Sequence, residues 1–405
     1  MELTKPINWQ EALAQVLEAA QIKEVETLDA TSAIDRVLAA SIIATNDSPE
    51  STTSTVDGYA VRSADTEAIP ITLPCSDTVT AGSIPISPLQ DGQCMRVMTG
   101  ALLPDNADAV IPFEEVTEVG VTIRVEQTVK PGYCCLLPGS EYQKGQELIA
   151  KSTPITATEI GLIAQLGKQQ IPVHKVPTVA LIVTGDELVE TWVDPRPGQI
   201  LNSNAYTMLA LFRQLGVSAH YLGICPDDLS ALTKKIQDGL QDDLIIVVGG
   251  SANGDKDYTH SALENNGITV VFDQINIKPG SSTIFAHKGS KIALGLPGPP
   301  GAMRTMCHLL VLPVLRKMMG YPSPEPVMYS GKFDGTFKKQ AGYEFFLSAV
   351  AQFEEDHFVL MPSRPRKTAS WQSWKTTNSI IMIPSELEEI NIGDQVSFIT
   401  TSVFE

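Results

Sequence analysis

Carboxylates recur where apolar runs end in the middle of this chain. Asp186 and Glu187 follow Val179–Val183, Asp227 and Asp228 follow Val217–Ile224, and Asp255 and Asp257 follow Leu244–Val248. The last run first passes through Gly249-Gly-Ser-Ala-Asn-Gly254. Glycine lets a backbone approach a bulky anion, and its N–H groups can point at phosphate oxygens. Carboxylates two residues apart in one loop can hold Mg²⁺, the usual companion of a bound polyphosphate. Together these groups have the makings of a Mg²⁺ and phosphate site. The same residue types also serve plainer ends. Glycine turns are common in α/β folds, and Asp227 or Asp228 can cap a helix.

Other residues add to or qualify that picture. Lys278, in Ile277-Lys-Pro-Gly280, precedes a rigid turn that fixes its direction. It can neutralise a phosphate or stand solvated in its turn. Leu296-Pro-Gly-Pro-Pro-Gly301 ends at a predicted helix start, where an oxyanion is favoured. Nearer the N-terminus, Asp57 and Thr99 stand beside glycines in Val56-Asp-Gly-Tyr-Ala60 and Thr99-Gly-Ala101. Asp-Gly turns by themselves carry little information. The six histidines show no metal-ligand spacing and receive no role.

The elements that must position these groups follow a changing rhythm. Residues 9–22 place apolar groups at helical spacing, and Thr156 with Glu159 forms a capping box for a helix over 160–167. Between roughly 50 and 150 the texture is short β-rich runs broken by Pro, Gly and Asp. From Val179 the chain alternates strand, loop and helix. Ser203-Asn204 can cap a helix over 205–215, Asp227-Asp228 open another, and a further helix spans Ala302–Met319. Such alternation predicts a mostly parallel sheet covered by helices, with ligands beyond the strands' carboxyl ends.

The expected fold class is multidomain α/β plus β. A helical segment comprises 1–45 and 141–175, an inserted β module 46–140, a three-layer α/β domain 176–322, and a small all-β domain 323–405. At 405 residues several domains are expected, and 43% hydrophobic with 19% charged residues is a globular composition. A net charge of −18 argues against a broad nucleic-acid surface. It leaves room for a phosphorylated small molecule where a metal or a local lysine supplies positive charge. The six cysteines lack zinc-like spacing, and adjacent Cys134 and Cys135 are poorly placed for a disulfide. No signal peptide or membrane span is visible, so a reduced, cytoplasmic setting is expected.

Several of these segments, in order, carry a family resemblance. They are Val56-Asp-Gly-Tyr-Ala-Val61, Arg96-Val-Met-Thr-Gly-Ala101 with Ala107-Asp-Ala-Val110, and Thr184-Gly-Asp-Glu-Leu188. Asn202-Ser-Asn204, Gly249-Gly250 with Gly254-Asp-Lys-Asp257, Lys278-Pro-Gly280 and Leu296-Pro-Gly298 follow. The series resembles the molybdopterin molybdenumtransferases, the MoeA and gephyrin E-domain family. The resemblance implies an elongated homodimer whose site lies in a cleft between the α/β domain and the partner's β module. It also implies molybdate insertion into adenylylated molybdopterin, with Mg²⁺-dependent pyrophosphate cleavage and AMP release. Carried over by motif, Asp57 and Thr99 serve the cleft. Glu187, Asp227 and Asp257 serve metal and pyrophosphate, and Lys278 the anionic substrate. Gly249, Gly250, Ser251, Gly254, Pro297 and Gly298 line the substrate. Further cofactor-biosynthesis or recipient proteins are possible partners, with no nucleic acid and no membrane.

The chain departs from the family where cations are usual. The family's Lys-Pro-Gly-Lys-Pro appears as Lys278-Pro-Gly-Ser-Ser282, a frequent lysine is Gln274, and an arginine-rich stretch reads Cys135-Leu-Leu-Pro-Gly-Ser-Glu141. The loop Ser251-Ala-Asn253 and the segment Leu296-Pro-Gly-Pro-Pro300 also differ. Two other classes of protein accommodate these departures: a molybdopterin-binding scaffold or carrier, and a nucleotide pyrophosphatase without metal insertion.

Overall fold

The computed structural model describes residues 6–250, 258–363 and 375–401. Ser41–Ala150 with Leu162–Lys168 forms one compact unit, and the other described residues form a second. The first is a β module of six main strands: β1 Gly58–Val61, β2 Ile71–Val79, β3 Cys94–Val97, β4 Ala109–Pro112, β5 Val116–Val119 and β6 Thr122–Val125. Their order is β4-β1-β3-β2-β6-β5. Strand periodicity separates the two faces. Tyr59 and Val61 join Leu73, Ile111 and Ile123 in one apolar cluster, while Ala60 joins Val79, Met95 and Val110 in another. Gly58 has a packing duty, because a Cβ there would lie 2.3 Å from the Ile111 carbonyl oxygen. The glycine after Asp57 therefore admits β4 alongside β1.

In the second unit, the central sheet contains β7 Val179–Thr184, β8 Ala219–Cys225, β9 Leu244–Val248, β10 Thr269–Phe272, β11 Ile284–Lys288 and β12 Lys291–Leu296. The order is β8-β7-β9-β12-β11-β10; the first four strands run parallel and the last two join antiparallel. The helices are α1 Trp9–Ala19, α2 Ala157–Gln165 (whose residues are divided between the two units), α3 Ser203–Gln214, α4 Leu229–Gly239, α5 Tyr258–Asn265, α6 Pro300–Met306 and α7 Leu312–Met318. Alternate residues of the buried strands divide between two cores, which makes three layers. Val179, Leu181, Leu244, Ile246 and Leu294 share one with α1, α3, α6 and α7. Ala180, Ile182, Ile245 and Val247 share the other with α4 and α5.

Local chemistry explains the helix starts. Asn8 caps α1 by accepting from the Glu11 N–H at 2.7 Å. Buried Trp9, Ala12, Leu13, Val16 and Leu17 then fall on one face. Glu159 reaches back to the Thr156 N–H at 2.8 Å, completing the expected capping box. Asn202, rather than Ser203 or Asn204, caps α3 by accepting from the Ala205 N–H. The helix expected over Ala302–Met319 contains a π turn at Cys307–Val311, where the Leu312 N–H donates to the Cys307 carbonyl. Pro313 explains the interruption: proline has no N–H, and its ring clashes with the carbonyl four residues back.

The C-terminal strands are β13 Met328–Phe333, β14 Glu344–Glu354, β15 His357–Pro362, β16 Ser379–Ile383 and β17 Gln395–Thr400. They run in the order β14-β15-β13-β17-β16, and β16 pairs again with β14, so the sheet closes on itself. The start of β14 also pairs in parallel with the short strand Ile277–Lys278. Among the described residues no helix is long and apolar enough to cross a membrane.

Candidate functional site

Thr184, the buried last residue of β7, organises the carboxyl end of the parallel sheet. Its hydroxyl donates to Asp227 Oδ1 at 2.8 Å, and the Asp227 N–H donates to Asp186 Oδ1 at 3.0 Å. The Gly185 N–H donates to the Cys225 carbonyl, holding the two strand ends side by side. Adjacent acids thus divide their work: Asp228 caps α4 by accepting from the Ala231 N–H at 2.8 Å, while Asp227 faces Thr184 and Asp186. Glu187 is exposed, and its Oε2 lies 2.8 Å from where a Cβ on Gly185 would stand. The structure therefore brings Asp227, Asp186 and Glu187 to one sheet edge.

Beside them lies a cradle of close backbone approaches. Gly249 has φ +97°, and a Cβ there would lie 2.3 Å from the Thr184 carbonyl oxygen. Its N–H donates to the Leu296 carbonyl at 2.9 Å, tying the loop after β9 to the end of β12. Gly250 follows with φ +64°, near Thr184 Cγ2 and Thr259 Oγ1. A Cβ on Gly298 would meet Gly249 Cα at 3.6 Å, so the segment holding Pro297 and Gly298 adjoins the same loop. Asn204 Nδ2 clasps the Gly298 carbonyl at 2.8 Å, while its buried Oδ1 has no hydrogen-bond partner among the described residues. Ser251, Gly254, Asp255 and Asp257 lie outside the described residues.

Lys278 is exposed on the short strand beside β14, and its Nζ stands 4.2 Å above the Tyr343 ring centroid. In the β module, Thr99 donates its N–H and its hydroxyl to Asp57 Oδ1, at 2.7 and 2.9 Å. Those two bonds, backbone first, hold the Asp57 carboxyl below its ordinary value, with a smaller contribution from Arg96. The same module contains a cavity of about 520 Å³, lined among others by Glu50, Thr52, Ile84, Ile86, Leu103 and Asp105. None of the residues named for chemistry lines it.

Among the described residues, no three Asp, Glu, His or Cys side chains converge as a metal cage. Mg²⁺ does not require one, since it binds through one or two carboxylates completed by waters and substrate phosphates. Asp227 and Asp186 fit that donor chemistry: in each, one oxygen accepts a hydrogen bond that fixes its orientation.

Thr184 and Asn204 had no site role assigned from sequence. Thr184 carried a usable signal, a hydroxyl at the end of an apolar run directly before Gly185-Asp-Glu187. Asn204 stood only as a cap candidate and a member of the Asn202-Ser-Asn204 segment, because its contact depends on how α3 meets the Gly298 loop. A half-buried chain links Asn202 Nδ2 to the Tyr221 hydroxyl at 2.6 Å, and that hydroxyl to Glu190 Oε1 at 2.7 Å. Burial, reinforced by Glu190, pushes the Tyr221 phenol well above its ordinary value and keeps it a donor.

Residues 7–167 match the family model for the MoeA N-terminal region (domain I and II), and residues 180–317 match a probable molybdopterin binding domain. The chain belongs to the MoeA family. A molybdopterin molybdenumtransferase of Staphylococcus epidermidis is 29% identical over 407 residues, spanning 99% of this chain and 97% of that protein. One from Staphylococcus aureus is 28% identical over 406 residues, with the same coverage of both chains. The crystal structure of a molybdopterin biosynthesis MoeA protein from Pyrococcus horikoshii superposes with a TM-score of 0.86 at 28% identity. It covers 99% of this chain and 100% of that one. In this MoeA family member, the strand-end acids and the glycine cradle fall within the binding-domain match, and Asp57 and Thr99 within the N-terminal match.

Proposed function

We propose that this chain is a molybdopterin molybdenumtransferase of molybdenum cofactor biosynthesis. It takes adenylylated molybdopterin and molybdate, cleaves the pyrophosphate link with release of AMP, and works as a cytoplasmic homodimer. The observation that carries this reading is the junction of Thr184, Gly249 and Asp227 at one sheet edge. A phosphoanhydride needs a close backbone wall and oriented carboxylates more than a covalent nucleophile.

Each residue then has a task. Gly249, Gly250, Pro297 and Gly298 let the backbone approach the pyrophosphate, with Ser251 and Gly254 continuing the loop. Asp227, Glu187 and Asp257 serve Mg²⁺, which supplies charge neutralisation to the phosphate oxygens when bound. Lys278 meets the anionic substrate, and Asp57 with Thr99 contributes from the β module. The segment 1–45 with 141–175 serves dimerisation.

Purified protein with adenylylated molybdopterin, Mg²⁺ and molybdate should release AMP and yield active cofactor. Asp227→Ala and Glu187→Ala should each suppress AMP release. Neutral Gln274 and Ser281 at positions where the family carries lysines favour a second reading, a binding scaffold. Substrate binding without AMP release selects that reading. AMP release without metal insertion selects a pyrophosphatase.

A further inference from the structure

We infer that Tyr343, at the entry to the C-terminal sheet, is a positioning residue that holds the Lys278 ammonium ready for the anionic substrate. This rests on the proposed substrate role of Lys278.

The two side chains meet because their backbones are locked in register. Ile277 and Lys278 pair in parallel with Glu344 and Phe345. The Glu344 N–H donates to the Asn276 carbonyl at 3.2 Å, and Asn276 Nδ2 donates to the Gly342 carbonyl at 2.7 Å. Tyr343 lies between these two ties. Lys339 secures it further, with Nζ donating to the carbonyls of Tyr343 at 3.0 Å and Ser385 at 3.2 Å and lying 5.5 Å from the same ring's centroid. The half-buried ring thus has a fixed mount, and the Lys278 ammonium sits over its face at 4.2 Å.

The choice of an aromatic partner matters electrostatically. A ring face attracts an ammonium through its quadrupole without cancelling the charge. A carboxylate in the same place would fix the lysine equally well and would also repel an incoming oxyanion. Among the described residues Lys278 makes no ion pair, although the chain carries a net charge of −18. Its positive charge is therefore directed but not neutralised. With Gln274 and Ser281 uncharged, the pose of this lysine counts for more. The C-terminal sheet gains a task beyond its own core, since it aims a cation.

The test compares Tyr343→Phe, Tyr343→Leu and Lys278→Ala in the full-length protein. Steady-state AMP release from adenylylated molybdopterin gives KM and kcat, and NMR of labelled lysine reports the ring-current shift on the Lys278 ε-methylene. Tyr343→Leu should raise KM about two- to fivefold with kcat little changed, and should abolish the ring-current shift. Tyr343→Phe should keep both at wild-type values. Unchanged KM in Tyr343→Leu, beside a raised KM in Lys278→Ala, overturns the inference and leaves Lys278 in its substrate role. Unchanged KM in Lys278→Ala removes that role, and the inference with it.

Discussion

Thr99 with Asp57 in the β module, and Thr184 with Asp227 on the parallel sheet, are the same chemical pair in different mountings. Thr99 gives both its N–H and its hydroxyl to one carboxylate oxygen at an exposed loop. Thr184 gives only its hydroxyl, from the buried end of a central strand, while its carbonyl stands against Gly249. The first mounting can be altered without touching a core. The second is continuous with the sheet, so orientation of the carboxylate and shape of the cradle cannot be changed separately.

The largest effect should come from breaking the second mounting. Gly249→Ala puts a Cβ against the Thr184 carbonyl at a positive φ and should cost about 3 kcal/mol or more, measured as a lower urea midpoint. Wild-type stability would mean that loop and strand part freely. Asp227→Asn keeps an acceptor for the Thr184 hydroxyl and removes the charge. AMP release should fall about a hundredfold with the melting temperature unchanged. A matching fall in melting temperature would reassign Asp227 to structure.

In the exposed mounting, Thr99→Val removes one of two bonds to Asp57, and AMP release should fall about tenfold or less. Hydrogen bonds that favour the ionised form keep Asp57 charged in the folded protein at acidities where the unfolded chain takes up a proton. Their contribution is present above the unfolded value and fades as pH falls through the lower folded one. An acid limb of activity set by Asp57 should therefore move upward in Thr99→Val. A fixed limb would detach it from Asp57.

A separate variant calibrates acid behaviour outside either pair. Burial, followed by repulsion from Arg304 and Arg316, lowers His308 from 6.5 to about 3. Between those values the unfolded chain binds a proton that the folded one refuses, so stability declines as pH falls through that window. The slope is at most about 1.4 kcal/mol per pH unit. His308→Leu should flatten the curve. An unaltered slope would place the acid sensitivity among the carboxylates.

Much of this arrangement was legible in the sequence because it is local. The capping box at Thr156, the strand over Leu244–Val248 and the helix opened by Asp228 depend on neighbours a few residues away. Asp186, Glu187 and Asp227 were legible as a group because a parallel sheet gathers strand ends. The antiparallel entry of β11 and β10 was not, since periodicity carries no strand direction. The Thr184 contact with Gly249, the Asn204 clasp on Gly298 and the ring beneath Lys278 join distant segments, and no spacing rule reaches that far. The π turn needed the helix path itself to show what Pro313 does to it.

The pairing of Ile277–Lys278 with the first residues of β14 also orders events during synthesis. Strands β7, β8, β9 and β12 can emerge from the ribosome and assemble before any of the C-terminal sheet exists. Lys278 leaves the exit tunnel with that early sheet but gains its neighbouring strand only when Phe345 has followed. A nascent chain halted after β12 has emerged and before Phe345 has followed would carry the parallel sheet complete and its lysine unaimed.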